Sequence, residues 1–225
     1  MATFGLLGTG AAYHRRRGDA PDGNRLIPPL SYIVDMGKSR KSGTAKARIV
    51  SSRVAYRGPV FSVTTDHVLE PGGIRARRDV VRHSGSIVVL AVDKQASEPQ
   101  ILLERQYRHA AQSMMWELPA GRIDDGESEL AAAKRELLEE TGYRARNWKK
   151  IMHFYVSPGF LDETMAIYMA QGLKAGVAQP EEDERIETHF FPLSTAVRMV
   201  GRGQIRDAKT IAGVLWFAQT GKKVR

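Results

Sequence analysis

Three glutamates within five residues, Glu136, Glu139 and Glu140, with Arg135 beside them, are the side chains here whose types and spacing suit chemistry. On a helix the three carboxylates span about 100° of one face. Like charges so placed repel, and an i,i+4 pair such as Glu136 and Glu140 destabilises a helix by a few tenths of a kcal/mol. A hard divalent cation reverses that sign, because it takes carboxylate oxygens as ligands. The predicted chemistry is that of a carboxylate-held metal ion.

The element that must carry this cluster is a helix over about Ser128–Thr141. Ser128 is a suitable N-cap, Glu129 is favourable in the first turn, and Gly142 supplies a left-handed stop. Leu130, Ala133, Leu137 and Thr141 form an adjoining arc fit for burial. Upstream, Ser86–Val92 reads as a buried strand, with Ile101–Tyr107 pairing to it across the Asp93–Gln100 loop. Met115–Leu118 leads into a turn at Pro119-Ala120-Gly121. Downstream, Trp148–Val156 and Thr164–Ala170 are predicted strands flanking a Ser157–Phe160 turn. An acidic loop at 180–184, a strand at Ile186–Phe191 and helices at about Ser194–Val200 and Asp207–Ala218 complete the chain. Strands and helices mix without a βαβ repeat, so the class is α+β.

Three β-rich segments between Ala47 and Arg82, separated by Arg57-Gly58-Pro59 and Pro71-Gly72-Gly73, predict a small antiparallel meander. It has one face to bury and too little mass to be stable alone. It must therefore pack on the rest of the chain or on a second subunit. The expected organisation is a disordered basic extension at 1–46, the meander at 47–82, a catalytic domain at 83–220 and a short tail at 221–225.

The 225 residues contain no cysteine, which excludes disulfides and thiolate metal sites and fits a reducing compartment. No apolar run is long enough to span a membrane, and the amino-terminal basic cluster follows a short apolar stretch, the reverse of a secretory signal. A cytoplasmic protein is expected. The net charge of +9 invites a nucleic-acid reading, but residues 1–46 carry +5 of it and the other 179 only +4. A basic tail is not a basic groove, so nucleic acid is not the expected partner. None of the six histidines has a metal-ligand spacing, and Trp116, Trp148 and Trp216 are predicted to be core.

The spacing from Gly121 to Tyr143 resembles the signature of the Nudix hydrolases, G-x5-E-x7-R-E-U-x-E-E-x-G-U. Gly121, Glu127, Arg135, Glu136, Leu137, Glu139, Glu140 and Gly142 stand at its specified positions, and Tyr143 is aromatic where an aliphatic residue is usual. Nine specified positions over 23 residues make this far more specific than a lone glycine motif. The resemblance implies an α/β/α sandwich with a mixed sheet, hydrolysing a nucleoside diphosphate linked to another group with Mg²⁺ or Mn²⁺. Glu136, Glu139 and Glu140 would be metal ligands, the Ala120 carbonyl an additional one, and Arg135 would hold the motif together through Glu127 and the glutamates.

Glu117–Gly121 before the motif and Ser157-Pro158-Gly159-Phe160 after it resemble the branch that hydrolyses ADP-ribose and ADP-sugars. The meander resembles the amino-terminal sheet which that branch exchanges between subunits of a homodimer. By this likeness Arg77 and Asp79 would contact substrate, with Asp79 standing where glutamate is usual. Arg108 would meet the pyrophosphate through its bidentate fork. Glu117 would lie on the substrate side or form an ion pair, and Pro158 and Gly159 would mark the substrate turn. In the acidic loop Glu184 would orient or deprotonate the attacking water, with Glu182 the close rival and Glu163 a weaker one. The box does not choose the substrate. ADP-ribose is the expected one, with GDP-mannose or a dinucleoside polyphosphate as alternatives, and a nucleotide sensor or nucleic-acid regulator as a rival class.

Overall fold

The apolar run at 86–93 becomes the central strand because both of its faces are covered. The structure, a computed structural model, describes residues 46–179 and 185–220. Among these the chain forms β1 Arg48–Arg57, β2 Ser62–Glu70, β3 Ile74–Arg82, β4 Ser86–Asp93, β5 Gln100–Arg108, β6 Ser113–Glu117, β7 Ala120–Arg122 and α1 Glu129–Thr141. There follow β8 Tyr143–Tyr155, β9 Thr164–Ala175, β10 Glu187–Pro192, α2 Leu193–Gly201 and α3 Ala208–Thr220. The expected extension at 1–46 (Lys46 apart), the tail at 221–225 and the acidic-loop residues 180–184, with Glu182 and Glu184, lie outside the described residues.

Side chains of a strand alternate between faces, and β4 uses both. Ile87, Val89 and Ala91 pack with Ala132, Ala133 and Leu137 of α1. Val88, Leu90 and Val92 pack with Met199 of α2, Ile205 and Phe217 of α3. The result is a sandwich with α1 on one face of the sheet and α2 and α3 on the other. The main sheet has seven strands in the path β10-β5-β4-β9-β8, with β6 on β5 and β7 on β4. It is mixed: β4 and β9 run parallel, from Ser86↔Met165 to Val92↔Gln171, and the other pairs are antiparallel.

Three expectations need correction. The segment expected as a turn at 119–121 is the short strand β7, and it pairs with Ser86–Val88. Because β9 holds one edge of β4, β7 takes the other, so β5 meets β4 only at Val92↔Ile101 and Asp93↔Gln100. The strand expected to begin at Trp148 begins at Tyr143. Gly142, at φ 74°, reverses the chain straight out of α1, so pairing with β9 starts at once, Tyr143↔Ala175.

The meander forms as read: β1-β2-β3, antiparallel, as a separate sheet. Its tie to the sandwich is the end of β3. Val81 donates its amide to the Phe160 carbonyl at 2.8 Å and accepts from the Asp162 amide at 3.1 Å. Arg82 bridges Asp162 of the sandwich at 3.0 Å and the buried Asp66 of β2. No helix among the described residues is long and apolar enough to cross a membrane.

Candidate active site

Helix α1 starts and stops where its capping residues dictate. The Ser128 hydroxyl accepts from the Ala131 amide at 3.3 Å, and the Gly142 amide closes the last turn on Leu138 at 2.8 Å. With Ala132, Ala133 and Leu137 against the sheet, the carboxylate face turns toward β7. There Glu136, Glu139, Glu140 and Arg135 line a cavity of about 470 Å³ together with Ala120, Gly121 and, from other elements, Arg108 and Lys209. Val60, in the β1–β2 turn of the meander, also lines it, and the Arg122 guanidinium donates to the neighbouring Pro59 carbonyl at 3.2 Å.

Arg135 organises the box. Its guanidinium donates to Glu127 at 3.0 and 3.2 Å, to Glu136 at 2.7 Å, to Glu139 at 3.0 Å and to the Arg122 carbonyl at 3.0 Å. The hydrogen bond from Arg135 lowers the Glu127 pKa, and the hydrogen bond to Glu127, first among several, raises that of Arg135. Glu140 is buried and accepts from the Ala120 amide at 3.0 Å. Gly121 is glycine for a steric reason: a Cβ there would collide with the Glu136 carboxylate.

Among the described residues no three acidic or histidine side chains converge as a ready-made ion cage. Arg135 engages Glu136 and Glu139, and the β7 amide engages Glu140. The donor set nevertheless fits a hard divalent cation in its chemistry, since three carboxylates and the Ala120 backbone border one cavity and offer oxygen ligands.

Arg108, at the end of β5, grips Glu117 of β6 with two hydrogen bonds of 2.9 Å. Lys209 of α3 contacts Oε2 of the same carboxylate, which Arg108 also engages, and lies 3.1 Å from Asp207. Burial alone would raise the Glu117 pKa, but the bonds from Arg108 and the Lys209 charge bring it below the ordinary carboxylate value. Glu117 thus forms ion pairs with two cations.

Arg77 and Asp79 pair with each other at 3.1 Å on an exposed stretch of β3 and do not line this cavity. Pro158 and Gly159 border a separate recess of about 260 Å³ beside Arg78 and Val80 of β3. Glu163 accepts from the Ser86 hydroxyl at 2.8 Å.

Two residues escaped the sequence reading. Lys209 was hidden inside an apolar helix, although Asp207 and Thr210, which cap that helix, were a legible signal: the Thr210 amide and hydroxyl donate to Asp207 at 2.9 and 2.6 Å. Glu104 lies in the middle of β5, fully buried, with neither carboxyl oxygen bonded to a protein donor. Burial, together with the charge of Glu117, pushes its pKa up to about 8. Its place directly after the apolar run Ile101–Leu103 was its only mark.

The model of the NUDIX domain matches residues 81–214. The chain is 38% identical over 170 residues to the ADP-ribose pyrophosphatase of Mycobacterium tuberculosis, covering 74% of this chain and 80% of that one. It is 34% identical over 184 residues to a methanol dehydrogenase activator of Bacillus methanolicus, covering 81% and 95% respectively. A crystal structure of an ADP compounds hydrolase superposes with a TM-score of 0.66 at 23% identity, over 78% of this chain and 96% of that one, a likeness of fold. With the box, the sandwich and the cavity in agreement, the chain belongs to the Nudix hydrolase family.

Proposed function

We propose that this protein hydrolyses the diphosphate bond of ADP-ribose or a closely related ADP-sugar, releasing AMP and a sugar phosphate. The observation that carries the reading is one cavity bordered by the box carboxylates on α1 and by Arg108 on β5. The identity to a pyrophosphatase of ADP-ribose favours that substrate. Glu136, Glu139, Glu140 and the Ala120 carbonyl would hold Mg²⁺ or Mn²⁺. When bound, such an ion neutralises diphosphate charge and makes phosphorus a better electrophile. Arg135 keeps the carboxylates in place, and Arg108, oriented by Glu117, offers its remaining donors to a phosphoryl oxygen. Glu184 is our assignment for the group that orients and deprotonates the attacking water, with Glu182 as its rival.

The test is turnover on a panel of nucleoside diphosphate compounds. ADP-ribose should give the highest kcat/KM, and an equal or higher value for GDP-mannose would overturn the substrate. Glu184→Gln should lower kcat by about two orders of magnitude or more. Near-wild-type turnover would move the role to Glu182 or Glu163.

We further infer a cytoplasmic homodimer in which the meander, 47–82, is the dimerisation unit and 83–220 the catalytic one. In favour of this, Ile49, Val50, Val54, Tyr56 and Ile74 of the meander are exposed apolar side chains, and exposed apolar surface is what marks an interface. A substrate role for Arg77 and Asp79 then belongs to the cavity of the second copy. Mixing Arg77→Ala with Glu140→Gln protein should regenerate some active sites after exchange of subunits. A mixture no more active than its parts would remove Arg77 from the site.

A further inference from the structure

Lys209 is a buried ammonium on the wall of a cavity, and its presence there needs an explanation. A lysine so enclosed has lost its hydration, and the usual repayment is partial: an apolar residue of similar size in place of a buried ion pair is often neutral or stabilising. Folding alone therefore gives little reason for a cation at this point. Its two carboxylate partners, Glu117 and Asp207, account for two of the three N–H donors of an ammonium. Lys209 nevertheless lines the cavity, with the buried Glu104 carboxylate as a further charged neighbour.

The surroundings hold the lysine firmly. Asp207 caps α3, and the Thr210 hydroxyl, one turn in, accepts from the Leu118 amide at 2.8 Å. Further along the helix, Gly213 faces Leu118 so closely that a Cβ there would lie 2.7 Å from its Cδ1. Helix α3 is thus latched to the segment Glu117–Ala120 that runs into the carboxylate site. Glu117 pairs with both Arg108 and Lys209, so a single buried carboxylate sets the positions of two cations that line the same cavity. The other two cations on that lining are committed: Arg135 to the box glutamates and Arg122 to the Pro59 carbonyl.

We propose that Lys209 and Arg108 form an anion subsite for one phosphoryl group of the substrate diphosphate, with Glu117 as the positioning residue that holds both. The proposal rests on the reading of the cavity as a diphosphate site but not on which nucleotide or sugar is attached.

The experiment uses the full-length protein with Mg²⁺ and inorganic pyrophosphate as the probe, by calorimetry and as an inhibitor of the best substrate in the panel. Lys209→Met should weaken pyrophosphate by roughly 10- to 100-fold, the size expected for a lost charge-assisted hydrogen bond. Inhibition by the uncharged nucleoside of the same substrate should be unchanged. Lys209→Arg should recover most of the pyrophosphate affinity. Asp207→Asn, which removes a partner of the lysine and weakens the helix cap but keeps the ammonium, should bind pyrophosphate within about threefold of wild type. Should Lys209→Met not fold, Lys209→Gln carries the same test. Equal pyrophosphate binding by wild type and Lys209→Met, a parallel loss for the nucleoside, or no binding by wild type would each overturn the subsite. Absence of turnover on every diphosphate in the panel would instead sink the proposed activity and leave the pyrophosphate comparison to decide the role of Lys209.

Discussion

Strands β4 and β1 are both rich in β-branched residues, yet seven of the eight residues of β4 are buried and all ten of β1 are exposed. The sandwich around β4 completes itself: α1 covers one face and α2 with α3 the other, and the cavity forms where α1 meets β7. The meander completes only its hydrogen bonding. Its strands pair, Arg82 ties it to Asp162, and its apolar side chains Ile49, Val50, Val54 and Ile74 are exposed. On the proposed reading, chemistry resides in the sandwich and assembly in the meander.

The largest effect that would sharpen this contrast is expected at the box. Glu140→Gln keeps the shape and a hydrogen-bonding end but loses the charge, and kcat should fall by roughly 100-fold or more. The sedimentation of the protein should not change. A shift in oligomeric state would mean that cavity and meander are coupled, contrary to the division drawn here.

The matching change in the other region is Ile49→Lys with Val54→Lys. Two charges on the meander face that Ile49 and Val54 share should convert a dimer to a monomer at micromolar concentration while the sandwich stays folded. Light scattering that gives one mass for wild type and variant would remove the meander from any interface.

Gly121→Ala should fall between these and lesser changes. The new methyl group must displace the Glu136 carboxylate, so stability should drop by about 1–3 kcal/mol, with a loss of activity larger than the fall in Tm explains. Unchanged kcat would show that the position of Glu136 is not critical.

A different kind of effect is one of pH, at the buried Glu104 beside Lys209 and Glu117. Burial raises the Glu104 pKa from an ordinary 4.5 to about 8. Across that interval the folded state keeps a proton that the unfolded chain has released, so stability declines as pH rises from about 4.5 toward 8. Glu104→Gln removes the decline. In metal-free buffer its Tm should gain on the wild type at high pH and not at pH about 5. A difference independent of pH would mean that Glu104 does not titrate in this interval.

Much of the site was legible because it is local. The Ser128 cap, the Gly142 stop, the carboxylate face and the grip of Arg135 on Glu127, Glu136 and Glu139 all lie within one helix and the loop before it, where periodicity fixes which side chains are neighbours. The Arg108–Glu117 pair was half legible, since both residues stood out but their register did not. Lys209 lies 92 residues from Glu117 and was not legible. Neither was Glu104, whose meaning depends on being sealed between two layers.

What the amino-acid sequence determined alone is the reaction class, because a metal-binding box is written in the spacing of a single helix. Only the tertiary structure decided which distant cations share the cavity, that Glu117 pairs with both of them, and that all of β1 is exposed. The physical reason is that helix neighbours follow from a period of 3.6 residues, whereas contacts between strands and helices follow from how whole layers close on one another.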